Sequence, residues 1–412
     1  MHITILIFLL VYLAMGLGKL PWLKVDRTGA ALVGALAMLA IGSISAKDAW
    51  AAIDYKTIGL LFGLMVVSGA FAVSGFYAWS ANKVANLKIS PPKLLAVFII
   101  VSGVLSSILT NDVVVVAMTP LLVSITLARG LNPIPFLLGF CFAANTGSVG
   151  TLIGSPQNMI AAQALDVSFV ELLKVAGLPA LLSLPVVWVI LVYLFKDRWT
   201  IQPTFNKTMP NNQATKQPVL DIQETIKAAI VTIAIVVLFI IDIWPQEIVA
   251  LTAAGILLLN RKVASGDVLN EVDGNLLLLI MGLFIVNAAM ATTGLPQTLL
   301  ADLKTLGINL NDPLSLFFTS ALLSNIVGNN PTVMLLVPYL ETGAHDALLC
   351  AALALGTGFS SNMVIFGSLA GIVVVEQSKA CGIDISFMDY AKAGVPVALV
   401  CLVLSTLWIY WL

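Results

Sequence analysis

The sequence predicts an all-α polytopic membrane protein of two inverted-topology repeats, with about ten transmembrane helices, two re-entrant hairpins and broken helices at the midplane. Three observations predict it. Apolar residues make up 59% of the 412 and charged ones only 10%, against about 25% charged in an ordinary soluble domain, so a soluble globule of this length is excluded. Runs long enough to cross about 30 Å of hydrocarbon recur along the whole chain. The pattern of one half then returns in the other.

The apolar runs place crossings at residues 3 to 18, 29 to 45, 57 to 77, 134 to 165 and 178 to 195. A second set falls at 226 to 242, 246 to 260, 275 to 293, 347 to 375 and 394 to 411. Residues 94 to 128 and 314 to 340 are apolar on both sides of a polar centre and the wrong length for one straight helix. Each suits a re-entrant helical hairpin, whose non-helical tip needs protein or water around it. One polar interruption, residues 199 to 225, is rich in Pro, Asn, Gln and Thr and reads as a cytoplasmic linker between membrane halves 1 to 198 and 226 to 412. The first run lacks a basic segment before it and is followed by Lys19, Lys24 and Arg27, so it reads as a retained helix with its N-terminus outside.

Basic residues test this topology, because cytoplasmic loops hold an excess of Lys and Arg. With both termini outside and both hairpins returning to their side of origin, only Lys47, Lys56, Lys174 and Lys304 of the 20 basic residues fall outside. Trp50, Trp244 and Trp411 lie near helix ends and fit interfacial anchors. Cysteines introduced at Lys88 and Pro210 are expected to label only from the cytoplasmic side, and one at Lys304 only from outside. Labelling of positions 88 and 210 from opposite sides would exclude this topology.

The duplication is visible residue by residue. DYKTIGLLFGLMVVSGAFAVSGF (54 to 76) maps onto DGNLLLLIMGLFIVNAAMATTGL (273 to 295), so that Asp54, Gly63 and Gly75 fall on Asp273, Gly282 and Gly294. Further on, Asn111 and Pro120 fall on Asn329 and Pro338. Five crossings per half is odd, so the halves sit in opposite orientations, the arrangement of secondary transporters.

The residues able to act on a solute cluster at matching places. The hairpin centres SSILTNDVVVVAMTP (106 to 120) and SNIVGNNPTVMLLVP (324 to 338) bring Asn111, Asp112, Asn329, Asn330 and Thr332 toward the midplane. Amides and helix ends at such tips can replace a solute's hydration shell, or they can simply cap the broken helices. Asp112 is the one acid deep in a predicted membrane element. A charge there costs about 2.5 to 3.5 kcal/mol on insertion scales, so such a residue faces a cavity and suits a proton carrier; the alternative is a capping carboxyl that never changes state. After each hairpin comes a helix interrupted by small polar residues: Asn145, Thr146, Ser148 and Thr151 in the first half, and Thr357, Ser360, Ser361 and Asn362 in the second. Close helix packing explains the glycines there but not the combined amides and hydroxyls.

Other chemistries are excluded or muted. No P-loop, HExxH or GxSxG motif occurs, which argues against an enzyme, and neither a cofactor nor a metal is called for. The net charge of -1 without a basic tract gives no reason to expect nucleic acid. Cys141 and Cys350 precede the two interrupted stretches, but as small apolar residues they need no special role. No Lys or Arg falls in the predicted central site, which favours a neutral or weakly charged solute, or a cation.

At the two tips and in NTGSVGTLIGSPQNM (145 to 159) the chain resembles the ion transporter superfamily over nearly its whole length. That group includes arsenical pump proteins of the ArsB type, sodium/proton antiporters of the NhaD type, and sodium-coupled dicarboxylate and citrate carriers. The dicarboxylate carriers have Ser-Asn-Thr at both tips. Thr110-Asn111-Asp112 and Gly328-Asn329-Asn330-Pro331-Thr332 depart from that pattern, and the Asn-Asp pair is similar to the ArsB type. GTLIGSPQNM is closer to uncharacterised anion permeases. The resemblance implies an inner-membrane secondary transporter, with proton-coupled efflux of arsenite or antimonite as the leading expectation. Its alternatives are a sodium- or proton-coupled small-anion or dicarboxylate symporter and a sodium/proton antiporter. The partners it implies are a small solute, protons or sodium, the lipid bilayer, and room for a cytoplasmic ATPase subunit.

Overall fold

The computed structural model describes residues 1–18, 24–200, 219–305 and 307–412. Among these, regular structure is helical apart from isolated bridge residues such as the pair Leu131 and Thr200. The first half contains α1 (His2–Leu17), α2 (Arg27–Ala40), α3 (Ala46–Ala52), α4 (Tyr55–Val73) and α5 (Phe76–Ala85). It continues with α6 (Pro91–Ile108), α7 (Asn111–Ala128), α8 (Pro133–Ser148), α9 (Pro156–Ala164) and α10 (Phe169–Leu194). The second half contains α11 (Ile222–Ile241), α12 (Gln246–Leu258), α13 (Ser265–Leu269), α14 (Gly274–Ala291) and α15 (Leu295–Thr305). It ends with α16 (Pro313–Val327), α17 (Asn329–Leu336), α18 (Asp346–Ser360), α19 (Leu369–Ala380) and α20 (Phe387–Trp411). Element for element, the second half repeats the order of the first. Most of the expected linker, residues 201–218, lies outside the described residues.

Seven of these helices are long and apolar enough to cross a membrane, and α1, α2, α12, α16 and α18 are shorter apolar helices. Outward faces such as Ile3, Leu6 and Leu13 on α1 and Ile226, Ile230 and Ile233 on α11 are exposed, as suits surfaces covered by lipid rather than water. The expected crossings 134 to 165 and 347 to 375 are indeed broken, into α8 and α9 and into α18 and α19. Hydrogen bonds join ends that the ten-crossing scheme puts on one side: Thr4 with Ser43, Arg129 with Ala85, Lys227 with Leu259 and Trp408 with Val175.

Two expectations need correction. Helices α10 and α20 begin well before the apolar runs at 178 and 394. Ser168 accepts from the Glu171 N–H while the Glu171 carboxylate accepts from the Ser168 N–H, and Ser386 accepts from the Asp389 N–H. Such caps start a helix in its polar first turns, which hydropathy does not register. The short helices α3, α5, α13 and α15 also fall where the apolar pattern leaves loops. They are too short to carry a membrane-length signal.

The halves exchange partners at their centre. Helix α4 packs along α12, and its counterpart α14 packs along α2. At Gly63 on α4 an added Cβ would lie 2.5 Å from the Ala250 carbonyl carbon, and at Gly282 on α14 it would lie 2.9 Å from that of Ala31. Glycine at both matched positions is therefore a matter of backbone contact between helices. It lets polar side chains near the starts of α2 and α14 converge on the middle of the bundle.

The hairpins stop at the breaks of the crossing helices. By length alone α6 and α7 could each span a bilayer, but the N–H of Asn111 at their tip donates to the carbonyl of Gly154, in the gap between α8 and α9 (3.0 Å). At the second tip the Asn329 amide nitrogen donates to the carbonyls of Thr357 and Gly367, beside the gap between α18 and α19 (3.2 and 3.0 Å). Gly328 turns this tip with φ +93°, a conformation that favours glycine.

Candidate functional site

Both tips open into one cavity of about 700 Å³, within the roughly 300–1,000 Å³ range of small-molecule sites. Asn111 and Asp112 begin α7 on one side of it, and Asn329 and Asn330 begin α17 on another. The starts of α2 (Asp26, Arg27, Thr28) and α14 (Asp273, Asn275) form the mouth, together with the face of α19 that carries Leu369, Ile372 and Glu376. Two helix N-termini, of α7 and α17, border this space.

Four of the five expected tip residues thus share one cavity, and Thr332 is not among its lining residues. They differ in their bonding. The Asn329 amide is engaged by the second break, whereas the side-chain oxygens of Asn111 and Asn330 are buried without a partner among the described residues. A buried unpaired carbonyl oxygen costs about 1–3 kcal/mol, so both residues carry an unmet acceptor beside the cavity they line.

The eight expected polar residues of the broken helices do not border this cavity, although Gln157 on α9 and Ser368 at the start of α19 do. Asn145 donates to Asn362 Oδ1 (2.9 Å) and Ser368 Oγ (3.0 Å), tying the two broken helices together across the repeat. Ser148 and Ser361 donate to carbonyls of their own helix ends, and Thr357 to Leu353. Thr151 donates to the Ser107 carbonyl, linking the first break to its hairpin. Ser360 bonds Ser324 on α16 (2.7 Å). Thr146, Thr332 and the Asn362 amide nitrogen are buried with no partner among the described residues.

Several residues at the site escape sequence reading. Arg27 lines the cavity close to Gly328, which corrects the expectation that no base reaches the site. Its Nε donates to the Met15 carbonyl (2.9 Å), so α1 holds it there, and it makes no ion pair among the described residues. It sits at a helix start, where a loop was the simpler expectation. Asn158 donates to the carbonyls of Ser148 and Thr151 (3.0 and 2.7 Å) and stitches the first break; an amide just past Gly-Ser-Pro was the available signal. Asn287 on α14 donates to the Met334 carbonyl (2.9 Å) and accepts from Tyr12 (2.9 Å). Pro338 has no N–H to offer that carbonyl, so Asn287 supplies the missing donor.

The charges around the cavity are unbalanced. Asp26, Asp112, Asp273 and Glu376 stand against Arg27 alone among the described lining residues. No group of three or more His, Cys, Asp or Glu gathers to hold a metal among the described residues.

A polytopic helical bundle that brings two hairpin tips and two broken helices to one polar cavity defines a membrane transporter. Sequence comparison agrees and narrows the class. The chain belongs to the citrate transporter family (CitMHS), whose profile matches residues 10–347, within the ion transporter superfamily that its tips resemble. It is similar to a 46 kDa membrane protein of Mycobacterium leprae, 27% identical over 94% of each chain. It is also similar to the silicon efflux transporter LSI3 of Oryza sativa subsp. japonica, 26% identical over 93% of this chain and 92% of that one. Among solved structures its fold is like the YdaH transporter of Alcanivorax borkumensis, with a TM-score of 0.56 and 14% identity, covering 100% of this chain and 99% of the other.

Proposed function

We propose that this transporter is a proton-coupled carrier of the inner membrane that exports a small neutral polyhydroxy solute, arsenite or antimonite as the trihydroxide. The observation that carries this reading is the cavity wall, where among the described residues four acids face one arginine beside the amides of Asn111, Asn329 and Asn330. A multiply charged anion meets net negative charge there, whereas a neutral hydroxide meets acceptors. The rice relative, a silicon efflux transporter by name, supports a solute of this kind. Asp112 carries the proton, the halves run in opposite orientations, both termini lie outside and the linker is cytoplasmic.

A small-anion or dicarboxylate symporter is the second reading, favoured by Arg27 in the wall and by the family's citrate description. Because a ligand of the native state raises its melting temperature, the purified protein should be stabilised by arsenite or antimonite and not by citrate, succinate or sodium. Stabilisation by citrate or succinate alone would give the second reading precedence.

The tips yield a sharper test. Asn330→Leu removes an unpartnered acceptor and should weaken solute binding by about 1–3 kcal/mol while the fold survives. Asn329→Leu instead removes the donor to Thr357 and Gly367 and should lower the melting temperature. Unchanged affinity in a well-folded Asn330→Leu protein would move the site away from the second tip.

A further inference from the structure

The cavity opens between the starts of α2 and α14 and the face of α19, and the matching of the two halves shows what stands at the equivalent place on the opposite face. The matching of Ala31 with Ala250 and Asp54 with Asp273 continues to the helix starts and pairs Arg27 with Gln246 and Thr28 with Glu247. The matching of Gly154-Ser155 with Gly367-Ser368 continues along the broken helices and pairs Ile153 with Phe366, Met159 with Ile372 and Gln163 with Glu376.

The two sets differ in state. Phe366 is 54% exposed at the open mouth, while Ile153 is 2% exposed and Met159 fully buried. Gln246 and Glu247 are buried too. Helix α4 packs against α9 on that face, whereas α14 and α19 both line the cavity. Across the closed face Gln163 Nε2 donates to Gln246 Oε1 (3.5 Å). The counterparts of these two glutamines are Glu376 and Arg27, both lining the open mouth and making no ion pair among the described residues.

We propose that Arg27 and Glu376 are the gate of the open mouth: when the opposite mouth opens and Gln163 parts from Gln246, Arg27 and Glu376 meet and close this one. The pair would do by charge what the glutamines do by hydrogen bond, and the two contacts exclude each other because each needs its own broken helix packed against the facing half. This rests on the carrier reading, in which the site is exposed to one side at a time. It assigns Arg27 a gating role distinct from solute recognition.

The test is solute counterflow in proteoliposomes, with melting temperature as the check on folding. Arg27→Glu and Glu376→Arg should each slow counterflow about tenfold or more, the change that a loss of about 1.4 kcal/mol brings. The double variant with both changes should recover most of the rate, and so should Arg27→Gln with Glu376→Gln, which copies the closed face. Cysteines at 27 and 376, in a Cys381→Ser background, should cross-link and arrest counterflow, with solute or a pH gradient changing the yield. A pair that never cross-links in a protein still capable of counterflow, with neither double variant rescued, would overturn the gate. Flux without any counterflow in the unaltered protein would instead refute the carrier reading itself, and the gate with it.

Discussion

Asp112→Asn is expected to abolish uphill transport while leaving solute binding in place. Asp112 occupies the first turn of α7 in the wall of the cavity, beside the unpartnered oxygen of Asn111. Its counterpart in the second half is Asn330, so an amide is already accommodated at the equivalent position and misfolding does not explain a loss. On the proton-coupled reading proposed above, a carboxyl at 112 takes up a proton on one side and releases it on the other, tying solute movement to the proton gradient. With an amide there is no proton to exchange, so the imposed gradient no longer drives accumulation and the pH dependence of transport flattens. Vesicle transport under an imposed pH gradient, with a separate binding assay on each protein, checks this. Uphill transport with unaltered pH dependence would dismiss Asp112 as the carrier and direct attention to Asp273, the acid that faces the same cavity from α14.

The largest effect on stability is expected where the halves exchange helices. A valine at Gly63 would drive its Cβ toward the Ala250 carbonyl carbon and oxygen (2.5 and 2.6 Å), and one at Gly282 would meet those of Ala31 (2.9 and 3.0 Å). Backbone cannot swing aside as a side chain can, so each change should destabilise by about 1–3 kcal/mol or more, the cost of overpacking. Gly255→Ala, on the same α12 but with nothing within 4 Å, should instead stabilise by roughly 0.5–1 kcal/mol, because alanine in a helix loses less backbone freedom than glycine. Thermal unfolding of the three variants in detergent separates these signs. A Gly63→Val protein as stable as the parent would mean that α4 and α12 are not in backbone contact.

Much of the fold was legible because lipid imposes simple rules on a chain. Long apolar runs must be helical, since an unpaired backbone group in hydrocarbon is costly, and the sequence therefore announces its crossings. The hairpins were legible from polar tips flanked by apolar arms, and the breaks in the crossing helices from Asn, Ser, Thr and Gly in otherwise apolar runs. The helix starts at Phe169 and Phe387 were not, because a cap acts through one or two hydrogen bonds rather than through hydropathy. Nor were α5 and α15, whose short faces are read only against the helices beside them.

By itself the sequence determined the helical membrane class, the matching order of elements in its two halves, and the gathering of Asn111, Asp112, Asn329 and Asn330 at the two tips. These follow from composition and spacing, which are local properties of the chain. Only the tertiary structure decided which polar residues meet a solute and which meet each other. Asn145 and Asn362 carry the same chemistry as Asn330, yet they bond to each other, while Asn330 lines the cavity with its side-chain oxygen unpartnered among the described residues. Arg27 was visible as a base near a helix end, but its place beside Gly328 depends on α1 holding it through the Met15 carbonyl and on α2 packing against α14. The same holds for the matched positions on the two faces, where Gln163 and Gln246 are close enough to bond while Glu376 and Arg27 make no ion pair among the described residues. Hydrogen-bond partners and access are relations between distant segments, fixed when helices pack, and no window of sequence contains them.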